Sequence, residues 1–383
     1  MTAVRPAPGA PSPIAFDSHS RGHVGRVVAA TLGIVLGVVA VAVVLLYLLS
    51  AFGLAGVVVS AVAALVPFVV VLLVVRWIDR WEPEPRVALV FAALWGAGVA
   101  VAVALLFDLG VQIALNAGGG RPNSFLQAVV QAPLVEEGAK GFGVLLIFWF
   151  NRKHFDGPVD GIVYAATVAA GFAFSENIQY FGRTLVEAGL GPQFAVIFVA
   201  RGVFSPFAHL LFTSCTGYAI GKAAERGGAA LGFGAYLLGL VPAALLHALW
   251  NGGLALASNT IEYYAVVEVP IFLAAAAIVL AVRARERAVT KARLTEYADA
   301  GWFTPAEVGL LSTWNGRRQA MLWADVQPDR HRKRVAMTRF VRDATRLGHA
   351  RQRTMRGRSG IGRTPDEREL LERLNADRAV LTA

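Results

Sequence analysis

Residues 131–142 read "QAPLVEEGAKGF", placing Glu136, Glu137 and Lys140 inside an otherwise apolar neighbourhood. A helix of about 20 apolar residues is what a hydrocarbon core of roughly 30 Å requires. Residues 125–150 meet that length, so this stretch reads as a membrane span carrying three charges. Ionisable groups at such depth are expensive and are functional candidates by default. Lys140 lies four residues after Glu136 and three after Glu137, on their face of the helix, where it offsets one carboxylate. Alone, the trio is equally well explained as an ion pair that fixes helix packing.

The whole chain shares this character. Its 383 residues are 56% hydrophobic, with a mean hydropathy of +0.55. Soluble domains are nearer 45–50% apolar, so the fold class is all-α and polytopic in a membrane. Eight apolar segments are expected, at about 27–49, 53–75, 88–113, 125–150, 160–181, 194–220, 231–256 and 265–282. The first two form one run, divided near Ser50 and Gly53. That run is too long for a signal-peptide core and reads as an uncleaved anchor. Lys and Arg alternate between the loops: Arg76, Arg80, Arg86, Arg152, Lys153, Lys222 and Arg226 fall on one side. Both termini are thereby expected in the cytoplasm.

Three regions follow: a disordered N-terminus (1–22), a membrane domain (23–283) and a basic tail (284–383). The net charge of +10 arises after residue 282, where 22 Lys/Arg face 12 Asp/Glu; residues 1–282 carry 14 of each. A basic tail beside an anionic lipid surface is attracted to it. No zinc spacing or nucleic-acid motif supports nucleic-acid binding. "TPAE" (304–307) and "TPDE" (364–367) each place Thr, Pro and Glu for a capped helix start. With Trp302, Trp314 and Trp323 nearby, a small helical appendage is expected. Cys215, the single cysteine, reads as an apolar filler.

Other buried-span ionisable residues complete a set. Glu176 lies in segment five, His209 in six and His247 in seven; Asp108 and Arg201 lie nearer span ends. Counted from the cytoplasmic ends at 1.5 Å per residue, Glu137, Glu176, His209 and His247 all sit roughly 20–24 Å deep. Two imidazoles and a carboxylate suit zinc, and a further glutamate would serve as base toward water. Glu176, His209 and His247 are the expected ligands, and Glu136 the general base, with Glu137 paired to Lys140 or sharing that role. Ser205 and Thr213 flank His209 and are expected to fix its tautomer. Asn251, one turn after His247, would donate to an oxyanion. Gly141 and Gly171 allow close helix approach near this layer.

These residues resemble the PrsW family of intramembrane proteases, related to CAAX prenyl endopeptidases and bacteriocin-processing proteins. The resemblance rests on "DRWEPEP" (79–85), "VEEGAK" (135–140), "HFDGPVDGIVYAATVAAGFAFSENIQY" (154–180), "AHLLFTSCTGYAIGKA" (208–223) and "VPAALLHALWN" (241–251). It implies cleavage of a single-span membrane protein within or beside its span, an anti-sigma factor being one family substrate. Family positions map onto Glu136, Glu137, Glu176, His209 and His247. The CAAX-related branch generally has histidine where this chain has Glu176. A metal-independent scheme also fits, with Glu136 activating water and His247 with Asn251 holding the oxyanion. The alternatives of another class are an ion-coupled transporter using the cluster as a proton relay, with Pro133, Pro206 and Pro242 breaking spans, and an inactive scaffold.

Overall fold

The computed structural model describes residues 18–152, 155–226, 229–355 and 367–383. Residues 1–17 and the Thr364–Pro365 start of the second capped helix lie outside them. The described residues are helical without strands. In chain order they form α1 (Ser18–Ile78), α2 (Arg86–Ala117), α3 (124–150), α4 (Pro158–Ala188), α5 (Pro192–Arg226) and α6 (Ala229–Leu256). There follow α7 (Thr260–Asp299), α8 (Pro305–Leu311), α9 (Trp314–Asp325), α10 (Arg330–Met355) and α11 (Glu367–Thr382).

Six of the described helices are long and apolar enough to cross a membrane: α1 (from Val28), α2, α4, α5, α6 (from Ala230) and α7. The eight expected segments map onto these six and α3. The first two both fall in α1, whose helix breaks at Gly53 (φ 67°, ψ 171°). A side chain at that positive φ would be strained, so glycine sets the break point. Without the break, 51 residues would extend about 76 Å, more than twice the hydrocarbon thickness. The segment with three charges, α3, is not among the six.

The least apolar of the six spans, α4, is the central one: 94% of its most apolar window is buried, against one third or less elsewhere. A helix sheathed by protein needs small residues more than oily ones. A Cβ on Gly161 would meet the Gly217 carbonyl oxygen of α5 at 2.0 Å, and one on Gly171 would meet the Ala93 oxygen of α2 at 2.2 Å. These contacts draw α2 and α5 against α4 with backbones touching. Gly141 likewise packs against Thr216 and Tyr236.

π-helical turns interrupt α2 (Trp95–Ala100), α3 (Gln127–Gln131), α5 (Ala200–Phe204) and α7 (Tyr264–Glu268). Such turns insert an extra residue, rotate the faces that follow and recur at functional sites. In α3 the turn lies just before Glu136; in α5 it ends at a bend at Ser205, just before His209.

The tail is a folded unit with its own core of Leu294, Phe303, Leu311, Phe340, Leu347 and Leu370. Thr304 Oγ1 accepts from the Glu307 amide (3.1 Å), and Glu307 Oε2 accepts from the Thr304 amide (2.7 Å), completing the expected capping box. No break occurs at residue 283, since α7 runs from the membrane part into the tail.

The tail docks on the loop between α1 and α2. Trp314 meets Trp81 edge-on (4.9 Å), while Trp302 and Trp323 remain exposed. Arg317 lies 3.3 Å over the Trp81 ring and donates to its carbonyl oxygen (2.8 Å). His349 contacts Glu82 at 2.9 Å, and Arg353 pairs with Asp156. Part of the tail's basic excess thus neutralises the membrane domain's own acids.

Burial alone would lower His349, but Glu82 and Asp156 hold it up at about 10. Burial raises Glu82, yet His349, Arg346 and Arg353 bring it down to about 2. The imidazolium contribution is complete below the ordinary histidine value and disappears as pH rises through about 10. The carboxylate contribution is complete above the ordinary glutamate value and disappears as pH falls through about 2. Docking is therefore expected to be tightest between roughly pH 4.5 and 6.5. Trypsin cleavage in α10, between Arg342 and Arg353, should rise from pH 6.5 to 10.5; unchanged protection would contradict this. His349→Gln should be cleaved readily throughout that range.

Candidate active site

The local backbone of α3 presents its charges through two supports. Trp95 Nε1 donates to the Ala139 carbonyl oxygen (2.9 Å), and Tyr236 Oη donates to that of Gly138 (3.1 Å). The turn bearing Glu136, Glu137 and Lys140 is thereby fixed from α2 and α6. Glu137 and Lys140 are completely buried, whereas Glu136 retains 13% side-chain exposure.

Lys140 is the centre of the cluster. Its Nζ donates to Glu137 Oε1 (2.8 Å) and Glu136 Oε2 (3.2 Å), and approaches His209 Nδ1 at 3.3 Å. The ammonium also lies 3.8 Å over the Phe172 ring of α4, a cation–π contact that suits a desolvated charge. Glu137 is fully engaged: besides Lys140 it accepts from Thr213 Oγ1 (2.8 Å) and meets His247 Nδ1 (3.1 Å). A charge with three partners tolerates complete burial; a charge with one would not.

The two histidines face one another, with ring centroids 5.4 Å apart and planes at 89°. His247 is held through Nδ1 by Glu137, and the Phe212 ring stacks on it at 5.0 Å. His209 Nε2 lies 2.9 Å from Glu176 Oε2. Each imidazole therefore has a carboxylate against one nitrogen, the arrangement that orients metal-ligating histidines. Glu176 Oε2 in turn lies 2.5 Å from Arg201 Nη2.

All the expected site residues but Asn251 thus meet in one cluster, from four helices, at one level. The grouping nevertheless differs in detail from the sequence expectation. Ligand atoms of Glu136, His209 and His247 lie within 4.8 Å of one another, so Glu136 rather than Glu176 completes the set of three possible donors. Thr213 serves Glu137, not His209. Asn251 Nδ2 donates to the Ala128 carbonyl oxygen (2.7 Å), tying α6 to the π turn of α3.

The partners of Asp108 and Arg201, both noted in the sequence as lying nearer span ends, were not foreseen. Asp108 accepts from Gln112 (2.7 Å) and Gln131 (3.2 Å), joining α2 to the π turn of α3. The i, i+4 pair Gln127 and Gln131, in an apolar span, was the available signal. Arg201 joins the site through Glu176. Its signal was a cation in the span next to one bearing a lone glutamate.

In type and spacing Glu136, His209 and His247 fit a divalent ion, each histidine keeping one ring nitrogen outside its carboxylate contact. The approach of Lys140 to His209 Nδ1 is the one contact that would have to yield.

A sequence profile described as PrsW family intramembrane metalloprotease matches residues 84–275. Among curated proteins, the chain is 34% identical over 145 residues to Protease PrsW of Geobacillus kaustophilus (strain HTA426), covering 38% of this chain and 58% of that protein. It is 32% identical over 159 residues to Protease PrsW of Clostridioides difficile (strain 630), covering 42% and 63%. For Protease PrsW of Bacillus subtilis (strain 168) the figures are 33% over 186 residues, covering 48% and 78%. The chain thus spans less than two thirds of the first two relatives. No solved structure matches. With half of its residues inside the family profile and the site cluster within that half, this multi-pass membrane protein belongs to the PrsW family of intramembrane metalloproteases.

Proposed function

We propose that the protein is an intramembrane endopeptidase that hydrolyses a peptide bond in a single-span membrane protein, an anti-sigma factor being one candidate. The observation that carries this reading is the convergence of Glu136, His209 and His247 beside a buried, charge-balanced Glu137–Lys140 pair. A packing device needs an ion pair; it does not need two carboxylate-oriented imidazoles and a third, slightly exposed carboxylate.

In this reading Glu136, His209 and His247 hold a divalent ion, with zinc favoured by the nitrogen and oxygen donors. Such an ion supplies Lewis-acid polarisation of the scissile carbonyl and acidifies water. Glu136 keeps some exposure and has Lys140 as its hydrogen-bond partner, fewer contacts than Glu137 or Glu176 make, so it is the group placed to take a proton from attacking water. Glu137 stays ionised between Lys140, Thr213 and His247 and orients His247. The apolar wall of Phe172 and Phe212 limits water to the reacting position.

One observation favours a second reading. Lys140 Nζ stands 3.3 Å from His209 Nδ1, supplying a fixed cation where a metal-independent scheme needs one. Metal analysis separates the two. Protein purified in detergent should contain one equivalent of zinc, lost in His209→Ala and His247→Ala. Cleavage of single-span reporter proteins should fall at least 100-fold in both variants and on treatment with a chelator, and recover with added zinc. Full cleavage by metal-free protein would leave the second reading standing. Cleavage by both variants would sink the site altogether.

We also propose that both termini are cytoplasmic and that exposed tail cations such as Arg330 and Arg334 add attraction to anionic lipid.

A further inference from the structure

Between α2 and α3 the membrane domain carries a groove of about 600 Å³, walled by Phe107 and Val111 of α2 and by Val130 and Leu134 of α3. Arg121, in the turn that joins the two helices, marks one end; Val135, the neighbour of Glu136, marks the other. The volume is that of a cleft that takes a ligand or a row of side chains. Phe107, Val130 and Leu134 are exposed, so the groove opens sideways, toward the surroundings of the membrane domain.

Its lining is not uniformly apolar. Gln127 and Gln131, in the π turn of α3, also face it, and each donates through Nε2 to Asp108 Oδ1, at 3.5 and 3.2 Å. Their amide oxygens accept from no described residue. Neither oxygen is sealed off, since both glutamines are only partly buried and neither oxygen is among the enclosed unpartnered atoms. Two acceptors are therefore open to the groove. Gln131 lies seven residues into α3, about 10 Å from its start. Hydrocarbon at that depth offers no donor, and polar side chains left inside a span mark function.

The chemistry of the lining discriminates among occupants. A lipid chain or a wholly apolar helix fills the groove but leaves both oxygens unmet. A helix carrying an amide or hydroxyl donor fills it and satisfies them, which is how helices associate inside a membrane. The position points the same way. Gln131 precedes Glu136 by five residues, about 7.5 Å along α3, so a helix laid against residues 127–135 brings its next turns to the level of the cluster. We propose that the α2–α3 groove docks the membrane span of the substrate. Gln127 and Gln131 then select spans with an Asn, Ser or Thr donor about five residues from the scissile bond. This inference rests on the reading of the cluster as a protease site.

The probes are two labelled synthetic peptides with one 20-residue Leu/Ala span, identical except for Asn or Leu one third of the way along. Each is reconstituted in nanodiscs with protein carrying a benzoylphenylalanine photo-crosslinker at Val130. A control protein carries it at Leu273, an exposed position of α7 outside the groove. The Asn peptide should crosslink at least tenfold more from Val130 than from Leu273, and about fivefold more than the Leu peptide. Gln127→Leu/Gln131→Leu should bring the two peptides to equal yield, and should raise KM for the Asn peptide more than it lowers kcat. Equal yields from Val130 and Leu273 overturn the inference. So does adduct formation with lipid alone, or an Asn preference that survives in the double variant. Should that variant fail to fold, Val130→Trp fills the groove and leaves the Asp108 contacts in place. With the crosslinker moved to Leu134, it should cut the yield at least tenfold; an unchanged yield has the same overturning consequence. Specific crosslinking from the groove without cleavage of either peptide would support docking and count against the protease reading.

Discussion

Lys140→Met should be the most disruptive single change in the membrane domain. Glu137 would then keep Thr213 and His247 but lose its counter-charge while completely buried. Removing one partner of a buried ion pair costs about 3–5 kcal/mol, because the remaining charge is left unpaired in a low dielectric. For a domain of this size that is a drop of roughly 10 °C in the thermal midpoint. The double variant Lys140→Met/Glu137→Gln should recover much of it, since no unpaired charge remains. Thermal unfolding of the four proteins of this cycle, in one detergent, is the measurement. A Lys140→Met midpoint within 2 °C of the wild type would show that the pair is not what holds α3 in place.

The adjacent glutamates should separate under the same kind of substitution. Glu136→Gln is expected to lower cleavage of a single-span reporter by about 10³-fold, within the range for loss of a general acid–base group. Its thermal midpoint should move little, because Glu136 is partly exposed and has Lys140 as its hydrogen-bond partner. Glu137→Gln should lower both activity and midpoint, since three contacts and the orientation of His247 depend on its charge. Equal midpoints for the two variants, or Glu136→Gln cleaving as well as Glu137→Gln, would reverse the assignment of roles. Neighbours in sequence are thereby given distinct duties by a difference in burial.

The tail bears on how the family core is used in this chain. It lies outside residues 84–275, yet it packs on Trp81 and Glu82, immediately before that core begins. The same loop reaches inward: Glu84 accepts from Tyr164 Oη (2.5 Å) on the central helix α4. A continuous set of contacts therefore joins the appendage to the helix that carries Glu176.

Composition and spacing were enough to determine the class of this protein. Apolar runs of membrane length admit little besides helices, because hydrocarbon leaves no partner for an unpaired backbone group. The cost of burying charge then singled out Glu136, Glu137, Lys140, Glu176, His209 and His247, and counting depth put them in one layer. The break at Gly53 and the Thr304 cap were legible for the same local reason: each depends on a residue and its immediate neighbours. What spacing along a helix does not contain is azimuth relative to other helices. The π turns in α3 and α5 rotate the faces on which Glu136, Glu137, Lys140 and His209 emerge, and glycine contacts of Gly161 and Gly171 set how closely the helices meet. Only that packing decided that Thr213 serves Glu137, that Asn251 bonds to Ala128, and that Arg201 stands against Glu176. It also decided that Glu136, rather than Glu176, shares a ligand-sized space with both histidines.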